Sequence, residues 1–269
     1  EEHAVTFGGG LARGGLLPVI CIYSTFMQRA VDQLIHDISL QKLHAVIVLD
    51  RAGAVPNDGE THQGVFDIAL FRPVPGITIM SPATAVDLDI CLRYAVNAEG
   101  AVVIRYPKMS CPSEQPSFSL PAETGRGVLV TASEFCPSLE VSLEDDVAVK
   151  NVLFVTTGGM FSEVTVASRS LLMKNIIADI YTLRFIKPFD SEYFLEIARR
   201  YDGIVFVEDG VVTGGIAEFL AGLCAENEIS CCAVKAFPDS FFSQGSRSQI
   251  CEQAGMSPAD LQKAAEDIL

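Results

Sequence analysis

The densest run of residues able to do chemistry lies between positions 50 and 67. It reads Asp50-Arg51-Ala52-Gly53, then Asp58-Gly59-Glu60-Thr61-His62-Gln63-Gly64, then Phe66-Asp67. Arg51 offers a planar fork of donors suited to a phosphate or a carboxylate. Histidine is a side chain able to transfer protons near neutral pH, and His62 has Asp58 close enough in the same loop to orient it. The same residue types also build plain surface turns, and the pattern alone leaves both readings open. Two further places resemble this one in setting. Tyr23-Ser24-Thr25-Phe26 sits at a strand-to-helix junction with Arg29 one turn later, and Arg105-Tyr106-Pro107 ends another apolar run. Taken singly, Phe26 reads as core, and Arg29 and Arg105 as solvated charges. Three strand ends that each present an arginine or an aromatic make a stronger case together, because neighbouring strand ends converge where open α/β sheets bind ligands.

Other candidates carry less. His36 and His44 lie on or just after an apolar helix, where histidines are structural more often than they are ligands. Four scattered histidines and no paired cysteines give no metal pattern. Gly8-Gly9-Gly10 and Gly158-Gly159 fit neither G-x-G-x-x-G nor G-x-x-x-x-G-K-[ST], and close packing is the commoner use of such glycines. Glu208-Asp209-Gly210 with Gly214-Gly215 reads as a strand–turn–helix corner.

Those residues need a rigid scaffold. Val19–Tyr23, Ala45–Leu49, Ile77–Met80 and Ala101–Ile104 are short apolar runs of strand type. Apolar residues at Phe26, Met27, Ala30, Val31, Leu34, Ile35 and Ile38 predict a helix after Ser24. Ser81-Pro82 predicts a cap and a first-turn proline for a helix over 83–97. Between Lys108 and about Lys150 the periodicity dissolves into prolines and serines, followed by one or two short acidic strands. A second alternation follows, with strands over 152–155, 176–183, 204–207 and 230–236. Helices over 161–174, 191–200 and 215–226 separate them, and a last helix is capped by Ser257-Pro258. This alternation predicts an α/β fold of two parallel-sheet domains, residues 1–110 and 146–269, joined by a linker over 111–145.

Composition narrows the class. The 269 residues are 49% hydrophobic, ample for a buried core, and carry a net charge of −15. That charge argues against a nucleic-acid partner. It is uneven, with −4 over residues 1–126 and −11 over 127–269, so anion binding belongs in the first half. No apolar run approaches the roughly 20 residues of a membrane span. Eight cysteines without a C-x-x-C, and no signal peptide, predict reduced, buried thiols in a cytoplasmic protein. The chain opens Glu-Glu-His, without methionine, straight into an apolar Gly-rich stretch, and reads as part of something longer.

With these segments laid out, the sequence resembles the 1-deoxy-D-xylulose-5-phosphate synthases, transketolase-like enzymes that use thiamine diphosphate. The resemblance rests on E-E-H-A-V-T-F-G-G-G-L-A at 1–12, Y-S-T-F-M-Q-R-A-V-D-Q-L-I-H-D at 23–37, D-R-A-G at 50–53, D-G-E-T-H-Q-G-V-F-D at 58–67 and R-Y-P-K at 105–108. L-R-F-I-K-P-F-D at 183–190, V-E-D-G at 207–210 and F-P-D-S-F at 237–241 extend it through nearly the whole chain. It implies an N-terminally truncated pyrimidine-binding domain followed by a transketolase C-terminal domain that helps form a homodimer. Glu1 then corresponds to the catalytic glutamate that hydrogen-bonds the cofactor's aminopyrimidine, Phe26 to the aromatic stacked on that ring, and Arg29 to an arginine beside it. Tyr23, Arg51 and Arg105 correspond to residues holding the phosphate of glyceraldehyde 3-phosphate. Asp58 and His62 correspond to polar residues around the pyruvate-derived intermediate and the acceptor aldehyde. The implied reaction is a decarboxylative condensation of pyruvate with glyceraldehyde 3-phosphate, a step toward isoprenoid precursors.

The departures from the family are informative. R-Y-P-R-G becomes R-Y-P-K-M at 105–109, placing a flexible ammonium where the family has a guanidinium near the phosphate. Pro56 and its neighbours replace a glycine before Asp58. No Gly-Asp-Gly…Asn motif for Mg²⁺ and the diphosphate occurs, so that domain must be supplied in cis or in trans, and this chain alone is expected to be inactive. Two rivals stand beside this reading. One is half of a split transketolase, or a 2-oxo acid dehydrogenase β subunit; the other is a non-catalytic dimerisation or interaction module.

Overall fold

The computed structural model describes residues 1–137 and 149–269. In the first half, helix Glu2–Arg13 precedes β1 (Val19–Tyr23), a helical segment over 24–39, and β2 (Ala45–Asp50). The short helix Asp67–Phe71, β3 (Ile77–Met80), helix Ala85–Asn97 and β4 (Ala101–Arg105) follow. The second half contains β5 (Val128–Val130), β6 (Lys150–Thr156), helix Phe161–Leu172, β7 (Ile176–Thr182) and β8 (Phe185–Lys187). Helix Ser191–Ala198, β9 (Gly203–Val211), helix Ile216–Glu226, β10 (Cys232–Phe237) and helices Arg247–Gln253 and Pro258–Asp267 complete it.

The strands form two five-stranded sheets, ordered β1-β2-β4-β3-β8 and β10-β9-β6-β7-β5. Within each, four strands are parallel, as the alternation predicts. The fifth is antiparallel in both: β8 on β3, and β5 on β7. Both sheets are therefore mixed, not purely parallel. β8 follows β7 after only two residues, yet it pairs with β3 of the other sheet. β2 and β4 are apolar and buried on both faces, which matches their unbroken runs of Val, Ile and Ala.

Strand β8 belongs by sequence to the second half yet completes the first sheet, so the halves interlock. One apolar cluster joins Ile47, Phe71 and Val103 of the first half to Leu153, Phe206 and Leu220 of the second. Within the stretch expected as a linker, residues 111–137 include packed structure. Phe118 is fully buried edge-on against Phe161, and the Arg184 guanidinium donates to the carbonyls of Phe118, Leu120 and Pro121. Of the stretch before Lys150 where one or two short acidic strands are expected, residues 138–148, with the domain boundary at 145, lie outside the described residues.

Other differences have local causes. The helix over 85–97 is capped by the Thr84 side chain, which accepts from Asp87 N, and not by Ser81. Helix Glu2–Arg13 is hidden in the sequence by Gly8-Gly9-Gly10, each glycine costing about 1 kcal/mol of helix propensity against alanine. Packing requires two of them, since a Cβ on Gly8 would lie 2.4 Å from Ile20 Cδ1 and one on Gly9 2.9 Å from Asp37 O. All eight cysteines are free, but only Cys91, Cys224 and Cys251 are buried; Cys21, Cys111 and Cys231 are exposed. No helix among the described residues is long and apolar enough to cross a membrane.

Candidate functional site

β1, β2 and β4 are adjacent and parallel, so their C-terminal ends open on one side of the sheet. β1 ends in Tyr23 and leads into the helical segment bearing Phe26 and Arg29. That segment passes through a 3₁₀ turn at Gln28–Ala30 and a widened π turn at Leu34–Ser39. Met27, Ala30, Leu34 and Ile38 point into the core. Phe26 is only half-buried, so it is not the core residue its type suggests: it lies parallel to Tyr23 at 5.7 Å and edge-on to His62 at 5.4 Å. The Arg29 guanidinium stands 5.1 Å from the Phe26 ring centroid and reaches Glu1 Oε2 at 3.3 Å. Glu1, Arg29, Phe26, Tyr23 and His62 thus form one continuous surface.

The loop after β2 continues it. Arg51 lies over the Tyr23 ring at 3.9 Å and donates from Nη1 to Asp58 Oδ2 at 2.5 Å. Lys108 Nζ donates to the same oxygen at 2.8 Å. The Lys108 hydrogen bond, with the charges of Lys108 and Arg51 behind it, holds the Asp58 carboxyl below its ordinary range. Asp58 is therefore not the group that orients His62. Thr61 Oγ1 lies 2.9 Å from His62 Nδ1 and fills that place. The loop is braced internally: Gly53 and Gly64 exchange backbone hydrogen bonds at 2.7 and 2.9 Å, and Gln63 Oε1 accepts from Val55 N at 2.7 Å. Gln63 was not singled out by sequence reasoning, because a lone glutamine in a polar loop carries no spacing signal.

Arg105 does not join this surface. Its side chain is 1% exposed, Nε donates to Asp67 Oδ2 at 2.8 Å and Nη1 to Asp209 Oδ1 at 2.6 Å. The expected place for it at a phosphate is corrected on that ground: the guanidinium is committed to two buried carboxylates between the halves. Lys108, three residues on and half-buried, is the β4-end cation that shares Asp58 Oδ2 with Arg51. Burial works against the Asp209 carboxylate, yet the Arg105 charge and hydrogen bond and the Thr157 hydroxyl outweigh it and lower its pKa. Neighbouring Glu208 has no cation in contact; burial pushes its carboxyl up to about 8, only partly offset by the Ala217 N–H and the Arg105 charge. The Glu208–Gly215 corner and Gly158-Gly159 thus serve packing, a Cβ on Gly158 falling 2.1 Å from Pro82 O.

The remaining histidines lie apart from this surface's chemistry: His3 stacks on Phe7 at 6.1 Å. His36 pairs with Asp32 at 2.8 Å on an exposed face, and a His44 ring nitrogen meets Ala95 O at 2.8 Å. Among the described residues no group of three or more His, Cys, Asp or Glu is placed to hold a metal ion.

Residues 1–114 match the model of the transketolase pyrimidine-binding domain, and residues 143–261 that of the transketolase C-terminal domain. The chain is 49% identical over all its length to the 1-deoxy-D-xylulose-5-phosphate synthase of Treponema pallidum (strain Nichols), covering 41% of that protein. It is 38% identical, again over its whole length, to the synthase of Caldanaerobacter subterraneus subsp. tengcongensis, covering 40%. The chain thus spans about two fifths of the length of these curated relatives. Among solved structures, a split-gene transketolase described as an inactive β4 tetramer superposes with a TM-score of 0.82 at 24% identity, covering all of this chain and 82% of that one. The transketolase of Campylobacter jejuni gives 0.68 at 18% identity, over 97% of this chain and 38% of that one. At these identities the two structures speak for the fold alone. Two transketolase domain types in succession, and near-half identity to transketolase-like synthases from end to end, mean that this chain belongs to the transketolase family.

Proposed function

We propose that the chain supplies the pyrimidine-facing and acceptor-facing parts of a 1-deoxy-D-xylulose-5-phosphate synthase site. The reaction is the decarboxylative condensation of pyruvate with glyceraldehyde 3-phosphate. The observation that carries this reading is one surface with two chemically different ends: a carboxylate and an aromatic face bridged by Arg29 at Glu1 and Phe26, and two cations on one carboxylate oxygen at Arg51 and Lys108, the first lying over Tyr23.

The residues fit the pyrimidine end of thiamine diphosphate. Glu1 has one carboxylate oxygen free of Arg29, and half-buried Phe26 carries over its ring the Arg29 guanidinium, whose side chain is 56% exposed and free to swing aside. Bound thiamine diphosphate supplies the electron sink for decarboxylation and for the new carbon–carbon bond. Glu1 would hold a proton between its carboxylate and a pyrimidine ring nitrogen of the bound cofactor. Phe26 fixes the plane of the ring. Tyr23, Arg51 and Lys108 hold the acceptor's phosphate, which takes over the cations now engaged by Asp58. His62 Nε2 delivers a proton to the aldehyde oxygen as it becomes a hydroxyl. Mg²⁺ and the diphosphate fall to a diphosphate-binding domain in cis or in trans, and two copies of the C-terminal domain pair as a homodimer.

The test uses the cofactor-loaded holoenzyme that contains this chain. His62→Ala is expected to lower kcat by about 100-fold or more while the melting temperature holds, within the usual range for a lost general acid. Full turnover in that variant removes the assignment.

A further inference from the structure

We propose that the segment Gln244–Arg247 of the second half is a clip that positions the Arg51–Asp58–His62 loop for the acceptor's phosphate. The inference rests on the phosphate reading above and assigns positioning residues to a domain that reading leaves without any.

The loop has a conformation it does not hold cheaply by itself. Arg51 and Asn57, both non-glycine, have φ of 60° and 68°, and Gly53 between them has 72°. Left-handed residues in such close succession persist where surrounding structure over-determines them. The second half supplies that surrounding. Asn57 N donates to Gly245 O at 2.9 Å, and Gln244 Nε2 donates to Asn57 O at 2.9 Å. Both peptide planes flanking Asn57 are therefore fixed, and the second of them carries Asp58, on which Arg51 and Lys108 converge.

Arg247 anchors the clip. Its Nη1 donates to Ala54 O at 3.2 Å, Nη2 to Gly159 O at 2.6 Å and Nε to Glu163 Oε1 at 2.8 Å. One guanidinium thus ties the loop to the start of helix Phe161–Leu172. Val211 N donates to Val65 O at 2.9 Å and holds the far end of the loop. The clip touches no site residue's reacting atoms; it acts through the backbone of Ala54 and Asn57.

Two variants test this in the holoenzyme containing the chain. Gln244→Ala changes an exposed side chain and leaves folding intact. Arg247→Lys keeps a charge for Glu163, but its single nitrogen cannot span the three separated acceptors that Nε, Nη1 and Nη2 reach. The first readout needs no activity: amide exchange at Asn57 and Asp58 should quicken in both variants, with β6 unaffected. The second is the ratio of kcat/KM for glyceraldehyde 3-phosphate over unphosphorylated glyceraldehyde. That ratio should fall about fivefold in Gln244→Ala, as expected for one hydrogen bond, and further in Arg247→Lys. The melting temperature and the rate with the unphosphorylated aldehyde should hold for Gln244→Ala, whereas a merely structural role would lower both rates together. Unchanged exchange at Asn57, or an unchanged ratio in Gln244→Ala, overturns the clip. A wild-type enzyme indifferent to the acceptor's phosphate would instead overturn the phosphate reading, and exchange alone would then decide the clip.

Discussion

One carboxylate oxygen, Asp58 Oδ2, takes both Arg51 and Lys108, so the loop's own anion sits where a substrate anion would be held. Two cations on one oxygen is an arrangement a phosphate can match with three. Asp58→Asn is therefore expected to strengthen inhibition of the holoenzyme by inorganic phosphate several-fold, read from inhibition constants, and weaker inhibition would contradict the exchange of partners. Lys108→Ala should raise KM for glyceraldehyde 3-phosphate by roughly tenfold with the melting temperature unmoved, as for loss of one charge-assisted hydrogen bond. Arg105→Ala should behave oppositely, costing about 3 kcal/mol or more of stability in urea titration, because Asp67 and Asp209 would be left as buried, uncompensated charges. An Arg105→Ala protein of undiminished stability would return Arg105 to the surface. In sequence the two cations differ only by three positions after the same strand. Side-chain direction alternates along a strand and its extension, so an odd offset can put one cation inside and the other outside. A resemblance of motifs does not reveal which is which. The aromatic-and-arginine convergence of Tyr23, Phe26 and Arg51, by contrast, was legible because parallel neighbours must end on one side.

At the scale of elements, β9 brings Glu208 and Asp209 into the buried junction together, although consecutive strand residues normally face opposite sides. The register shift between β9 and β10 at Lys235 and Phe237 marks the local irregularity. Only Asp209 has a cation to pair with, which leaves Glu208 protonated through the neutral range. Its folded pKa near 8 lies above the ordinary 4.5, so the folded state holds a proton that the unfolded state releases. The contribution to stability is full below about 4.5 and is lost as pH rises through about 8. Glu208→Gln, a permanently neutral isostere that still accepts from Ala217 N, should flatten the decline in melting temperature between pH 5 and about 8.5. An unchanged pH profile would show that the carboxyl is ionised throughout. The helices test packing in the same way. Gly158→Ala puts a methyl into Pro82 O and should destabilise by about 2 kcal/mol or more, whereas Gly10→Ala, with open space around it, should stabilise by roughly 0.5–1 kcal/mol. Strand positions were readable from apolar runs, and the last helix from its Ser257 cap. The Glu2–Arg13 helix was not readable, since its glycines serve contacts with β1 and the 24–39 segment that only the folded chain contains. The antiparallel strands β5 and β8 were missed because three residues are too few to show a period.

At the scale of the whole molecule, the two sheets share one packed junction. β8 crosses from the second half to the first sheet, an apolar cluster runs through both, and the Arg105–Asp67–Asp209 bridge and the Arg247 fork close the junction. The uneven charge now has a structural sense: Arg51 and Lys108 sit on the less acidic half, while the second half supplies carboxylates to the junction and a backbone grip to the loop. Function on this account belongs to the pair, with the first half presenting the reactive surface and the second holding its shape. The most direct measurement is product formation by the thiamine diphosphate-loaded holoenzyme supplied with pyruvate and glyceraldehyde 3-phosphate, comparing wild type with Arg51→Ala. The account expects 1-deoxy-D-xylulose 5-phosphate with one carbon dioxide released per product, and kcat/KM for the aldehyde reduced about 100-fold in the variant, in line with losing a charge-assisted hydrogen-bonding partner of the phosphate. No such product from a holoenzyme shown to hold its cofactor, or an Arg51→Ala enzyme as efficient as wild type, would contradict it.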